Sequence, residues 1–228
     1  AAQQYEPIQT LTAQAGAVVL RPFETDGNLH KVLLERGFND SPAHFKTVVS
    51  NECALPKEKR KAVYVGVHGT DAGWVNLLTW LNDTYGKDGD NSIWFPSQEE
   101  YYEYSYYRKH SVVSLERTDD NTLKLNVTLP SKAYFYYPSI TVNVKGLTKK
   151  EIASLTANPA VTGLSYADYE EGVMINIDCR RFLLQHATHY VGVYEEKRNG
   201  YSKADATYFV KMLKESPEKT QLLNRISK

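Results

Sequence analysis

Along the first half of the chain, short apolar runs alternate with stretches whose apolar residues recur every three or four positions. Ala17 to Leu20 is a compact apolar run of the kind a buried strand shows. After Gly27, residues Leu29, Val32 and Leu33 fall at helical spacing before a stop at Gly37, which predicts a helix over Asn28 to Arg36. Lys46 to Ser50 reads as a further strand. Ala62 to Val67 is apolar and β-branched, as a buried parallel strand is. Asp71 is placed to cap a helix on which Trp74, Leu77, Leu78 and Leu81 share one face. Gly86 to Asn91 is a turn cluster and Ile93 to Phe95 a short strand. Ser97 followed by Glu100 has the capping-box pattern at the head of a tyrosine-rich helix. This βαβα rhythm predicts an α/β layer with a parallel sheet.

The pattern changes near His110. Val112 to Glu116, Thr122 to Leu129 and Ile140 to Val144 alternate with period two, and Asp119, Asp120 and Asn121 supply a turn between the first two. Val161 to Leu164 and Val173 to Ile177 are two more strand candidates. Alternation of this kind predicts an antiparallel β-sandwich with one buried face per sheet. The end of the chain returns to helix, with amphipathic stretches at Phe182 to Lys197 and Asp205 to Lys214 and a short segment at Thr220 to Ile226. Two domains are therefore expected, residues 1–110 and 111–228.

Composition narrows the function. The 228 residues carry 27 acidic and 27 basic side chains, so there is no basic excess of the kind a nucleic-acid surface needs. No apolar run approaches the roughly 20 residues of a membrane span. The N-terminal Ala1 to Thr10 shows no signal-peptide pattern, which fits either a cytosolic chain or one that begins after processing. The 17 tyrosines offer apolar rings with polar tips, suited to sugar surfaces and equally to half-buried elements. In Tyr101 to Tyr107 the rings occupy most sides of one helix, which favours a helix wedged between two domains over a sugar-stacking platform. Cys53 and Cys179 are the only cysteines, and the sequence leaves a disulfide and two free thiols equally open.

Candidate chemistry gathers at strand ends. His68 follows Ala62 to Val67 directly, and ligands of open α/β sheets bind beyond the carboxyl ends of strands. A histidine there can move protons near neutral pH; it can also simply close the turn before Asp71. Arg21-Pro22 stands in the same way after Ala17 to Leu20. That arginine could clamp a carboxylate or make a surface ion pair. Asp26 is read as a cap for the next helix ahead of a ligand or base. His186 and His189 lie three apart among core-like residues, with no third ligand spaced to complete a zinc site. His30 and His44 show no ligand spacing. Asn82-Asp-Thr84 and Asn126-Val-Thr128 fit the glycosylation pattern.

Leu20-Arg-Pro-Phe-Glu-Thr-Asp-Gly27, the helix expected at Asn28 to Arg36 and then Gly37-Phe38 resemble the Arg-x-Pro motif of polysaccharide deacetylases, carbohydrate esterase family 4. Val65-Gly-Val-His68 resembles the family's last motif, a strand ending in histidine. The resemblance covers about residues 15–110. It implies a distorted or partial β/α barrel and hydrolysis of acetyl groups from a polysaccharide or oligosaccharide in a secreted or periplasmic protein. It also implies a divalent metal, usually zinc, held by an aspartate and two histidines, and a base aspartate. On this resemblance His68 is the acid toward the leaving group, and Arg21 orients the base.

The chain departs from the family's pattern in three places. The Thr-Phe-Asp-Asp-Gly motif, the His-x-x-x-His pair and the Asp-Trp pair have no counterpart, so no metal ligand or base is assigned in this chain. Either those residues lie in a preceding segment, or the domain has lost catalysis and is a non-catalytic carbohydrate-binding or interaction protein on the same scaffold. Residues 111–228 resemble an accessory region appended to such domains. The oligomeric state is not legible.

Overall fold

The computed structural model describes residues 5–14, 24–25, 32–38 and 40–228. The chain divides into two compact units, Ala1–Tyr102 and Glu103–Lys228.

In the first unit, β1 (Thr10–Gln14) pairs in parallel with β3 (Val32–Phe38), and β2 (Glu24–Thr25) pairs antiparallel with the start of β3. The far end of β3 pairs in parallel with β4 (Val65–Gly66), through Gly37 opposite Val65 and Phe38 opposite Gly66. The helix expected at Asn28 to Arg36 is therefore absent from Val32 onward. Pairing with β1 on one side and β2 on the other overrides the helical spacing of Val32 and Leu33, because strand preference is conferred largely by context. Ala17 to Leu20, Arg21, Asp26 and His30 lie outside the described residues.

Lys46 to Ser50, expected as a strand, is the middle of helix α1 (Pro42–Ala54). The start signal is local: the Ser41 hydroxyl accepts from the His44 amide at 3.3 Å and Pro42 opens the helix. Phe45, Val49 and Cys53, four apart, then face the core formed with α2 (Ala72–Tyr85). Asp71 caps α2 as its sequence predicts, accepting from the Gly73 and Trp74 amides at 2.9 and 3.2 Å. Trp74, Leu77 and Leu81 are buried there, whereas Leu78 is exposed.

The run Ala62 to Val67 shortens to the two residues of β4, with a lone bridge residue at Val63 before it. It is also one-sided. Val63, Val65 and Val67 pack on the α1–α2 core, while the Tyr64 hydroxyl donates to Gln98 Oε1 at 2.8 Å. Gln98 opens α3 (Gln98–His110), the tyrosine-rich helix, and its Nε2 donates to Thr10 Oγ1 at 2.6 Å. The Glu100 amide donates to the Ser97 hydroxyl at 3.2 Å, the capping contact expected there. Ile93 to Phe95 is not a strand. Ile93 packs on the α1–α2 core, and Trp94 and Phe95 are exposed.

The second unit opens with the hairpin β5 (Val112–Asp119) and β6 (Thr122–Thr128), turned by Asp119 to Asn121. A three-stranded antiparallel sheet follows in the order β7 (Ser139–Lys145), β9 (Gly172–Asp178), β8 (Gly163–Tyr169). Val144, Val173 and Ile175 form its buried cluster, joined by Leu125 of β6 and by Leu147, Ile152 and Leu155 of the connection after β7. Every residue of β5 is exposed, so its alternation does not translate into a covered face. The protein is thus a mixed α/β chain with small antiparallel sheets, and no closed barrel occurs among the described residues.

Gly172 marks a close approach in this sheet. A Cβ built there would stand 2.3 Å from the Val144 carbonyl oxygen, a backbone atom that cannot swing aside. Gly172→Ala is expected to cost about 2 kcal/mol through forced separation of β7 and β9. Chemical denaturation of the two proteins checks it, and equal midpoints would refute it.

Three helices close the chain, α4 (Leu183–Lys197), α5 (Gly200–Met212) and α6 (Pro217–Ile226). Leu183, Ala187, Val191 and Tyr194 of α4 meet Ala206 and Val210 of α5 and Leu222 and Ile226 of α6. The two alanines are fully buried and let the helix backbones come close. α5 starts five residues before the Asp205 expected from periodicity, because Asn199 caps it by accepting from the Ser202 amide at 2.9 Å. Likewise Ser216 and Pro217 start α6 ahead of Thr220. No helix among the described residues is long and apolar enough to cross a membrane.

Candidate active site

Strands β3 and β4 run side by side in the same direction, so the loops leaving their carboxyl ends share one rim. Two residues beyond β3 stands Asp40, and two beyond β4 stands His68. Asp40 Oδ1 accepts the His68 backbone N–H at 2.9 Å, and Oδ2 lies 3.1 Å from His68 Nδ1. The two carboxylate oxygens thus hold one residue by backbone and ring together. This fixes Nδ1 as the protonated nitrogen facing Asp40 and places Nε2 on the opposite edge of the ring. The His68 side chain is 70% exposed and that of Asp40 57% exposed, so the pair stands open at the rim.

The same contacts hold the Asp40 carboxyl below the usual range. The His68 backbone N–H is the main cause and the imidazole the second. Asp40 is therefore ionised at any pH where a histidine serves as proton donor. An ionised carboxylate behind an imidazole orients the ring, the arrangement that suits general acid–base catalysis.

His68 is thus the sequence-derived residue that the structure places in a chemically organised setting. Arg21 lies outside the described residues. The rim neighbour of His68 among the described residues is Asp40, on the loop after β3. Asp40 was missed because β3 itself reads as a helix. Once Val32–Phe38 is a strand, Asp40 becomes a strand-end carboxylate, and that signal could have found it.

The other candidates have structural partners. His186 packs edge-on against Tyr190 and Phe209 at 4.9 and 4.5 Å, and His189 meets Tyr190 at 5.4 Å. Burial pushes the His186 pKa down, so its ring stays neutral in an aromatic cluster. His44 is exposed on α1. Asn82 and Asn126 donate to Asp88 and Glu116 at 2.6 and 2.5 Å. Cys53 and Cys179 are free thiols. Among the described residues, no three of the His, Cys, Asp and Glu side chains converge as a metal site would require. The described residues therefore do not assemble the three-ligand metal centre that the resemblance implies.

The first unit thus carries an Asp–His pair at the ends of adjacent parallel strands. Residues 1–227 match the family described as "Putative polysaccharide deacetylase", and the chain belongs to this family. No curated protein matches the chain.

Proposed function

We propose that the protein hydrolyses acetyl groups from a polysaccharide or oligosaccharide, with His68 as general acid toward the departing sugar oxygen or nitrogen and Asp40 as its positioning partner. The observation that carries this reading is the Asp40–His68 pair on the rim shared by β3 and β4, in a chain that matches a deacetylase family over residues 1–227.

In the proposed chemistry, Asp40 holds Nδ1–H, and the imidazole delivers a proton through Nε2 to the leaving group as the acetyl carbon–heteroatom bond breaks. Water gives a proton to the base carboxylate that the resemblance implies as its oxygen bonds to the acetyl carbon, and the acetyl group leaves as acetate. The family's metal would polarise the acetyl carbonyl and lower the pKa of that water. The described residues do not supply its ligands, and no step here runs through it. Arg21 keeps the role that the resemblance gives it, orienting a base carboxylate. The α/β layer is proposed as part of a distorted barrel over residues 1–110, the antiparallel strands of residues 111–228 as an accessory sandwich, and the setting as periplasmic or secreted.

The test is acetate release. The purified chain, with and without added zinc, is incubated with acetylated xylan and with chitin oligosaccharides, and acetate is measured by a coupled enzyme assay. Release above a boiled control is the expected result. A folded protein that releases none under any of these conditions would overturn the hydrolytic reading. Such a result would favour the rival reading, a non-catalytic carbohydrate-binding protein on the same scaffold.

A further inference from the structure

The segment between β6 and β7 contains Tyr134-Phe-Tyr-Tyr137, four aromatic residues in a row outside any strand or helix. Such a run has no reason to stay in water unless something orders it, and three features do.

Phe135 points inward. Its ring meets Tyr106 and Tyr107 edge-on at 5.2 and 5.6 Å, and the Lys132 ammonium lies 5.1 Å from its centre. The buried carboxylate of Glu103, 2% exposed, takes the Tyr136 backbone N–H on both oxygens at 2.9 Å and the Tyr137 N–H at 2.6 Å. Tyr134 is held in the left-handed region, with φ of 63°. A residue with a β-carbon rarely adopts that conformation, and it persists only where the surroundings over-determine it. The result is a rigid segment whose outward rings are Tyr134 and Tyr136, at 38% and 55% exposure.

Backbone strain, a buried carboxylate and an inward anchor all serve to hold two tyrosines facing solvent. Folding alone is better satisfied by burying such rings or by glycine at position 134. Strain of this kind concentrates at binding sites, where a prearranged surface avoids the entropy of ordering on contact.

We infer that Tyr134 and Tyr136 form a carbohydrate-binding surface on the second unit, which stacks on the C–H faces of sugar rings in a glycan chain. Tyrosine suits this ligand because its ring is apolar and its hydroxyl can bond to sugar hydroxyls. The assignment rests on the carbohydrate part of the reading above and not on hydrolysis. Family membership supplies the class of ligand, and the fixed tyrosine pair supplies the surface. Glu103 is a positioning residue for it.

The experiment measures depletion of the full chain from solution by two insoluble probes, chitin and acetylated xylan. The variants are Tyr136→Ala alone and Tyr134→Gly combined with Tyr136→Ala. Glycine at 134 keeps the left-handed backbone while deleting the ring, so the double variant is expected to melt where the wild type does. The single variant serves in its place if it does not. At least one probe is expected to retain the wild type. Loss of both rings is expected to weaken retention roughly tenfold, the scale of an aromatic contact. Undiminished retention of the tyrosine variants, or no retention of the wild type by either probe, would overturn the inference. Retention without acetate release would leave this surface standing and remove only the hydrolytic reading.

Discussion

His68→Ala is expected to lower turnover on an acetylated glycan by roughly 10²-fold, the scale on which a positioned general acid contributes, while the melting temperature stays at the wild-type value. The separation of the two effects follows from geometry. The imidazole is largely exposed, so its removal opens no core cavity. The His68 backbone N–H, which alanine retains, still donates to Asp40 Oδ1. What disappears is the ring nitrogen that delivers the proton. An exposed ion pair of this kind adds little to stability. Steady-state acetate release and a thermal melt on the same preparation check the prediction. A large drop in melting temperature with little loss of turnover would instead assign His68 to closing the turn before α2.

Asp40→Asn is the companion measurement. Asparagine keeps an acceptor oxygen for the His68 amide but removes the negative charge beside Nδ1, so turnover is expected to fall less than in His68→Ala. The sign of the pH effect is set by the direction of the Asp40 shift. Its carboxyl is held below the ordinary value by the His68 amide and ring. The interaction is therefore complete above the unfolded carboxylate pKa of about 3.9. It is lost only as pH falls through the lower folded value. An acidic fall in activity well above pH 4 thus reports a different group.

The largest expected effect on stability is at Glu103. Glu103→Ala is predicted to cost about 3 kcal/mol, because two backbone N–H donors lose a charged acceptor in a buried place. In a chain of this size that corresponds to a melting temperature lower by roughly 10 °C. Glu103→Gln keeps one acceptor oxygen and nearly the same shape, and its loss is expected to be about half as large. The neighbouring Tyr107 supplies a second readout. Burial first, and then the Glu103 charge, push its phenol up to about 12. Its neutral form is therefore the one the fold favours, and that contribution is complete below the unfolded value of about 10 and fades as pH rises toward 12. Denaturation midpoints for the two Glu103 variants decide the matter. A midpoint for Glu103→Ala equal to that of the wild type would show that the 134–137 segment is held by its aromatic contacts alone.

The sequence by itself determined most of the second unit. Its antiparallel strands carry their alternation in the chain, and the turn at Asp119 to Asn121 is written in residues that favour turns. Its helices read correctly in type; α5 and α6 start earlier than the apolar period shows, where Asn199 and Ser216 cap them, and α5 ends at Met212, two residues before the expected Lys214. The cap at Asp71 was equally plain, since capping is a contact between neighbours in sequence.

Only the tertiary structure decided that Val32–Phe38 is a strand and that Glu103 is buried beneath the tyrosine segment. It alone brought Asp40 to His68, 28 positions away in sequence. The physical reason is common to all three. A parallel strand takes its identity from hydrogen bonds to distant neighbours, and a carboxylate takes its role from the donors around it. Neither is encoded in the spacing of the residues beside it.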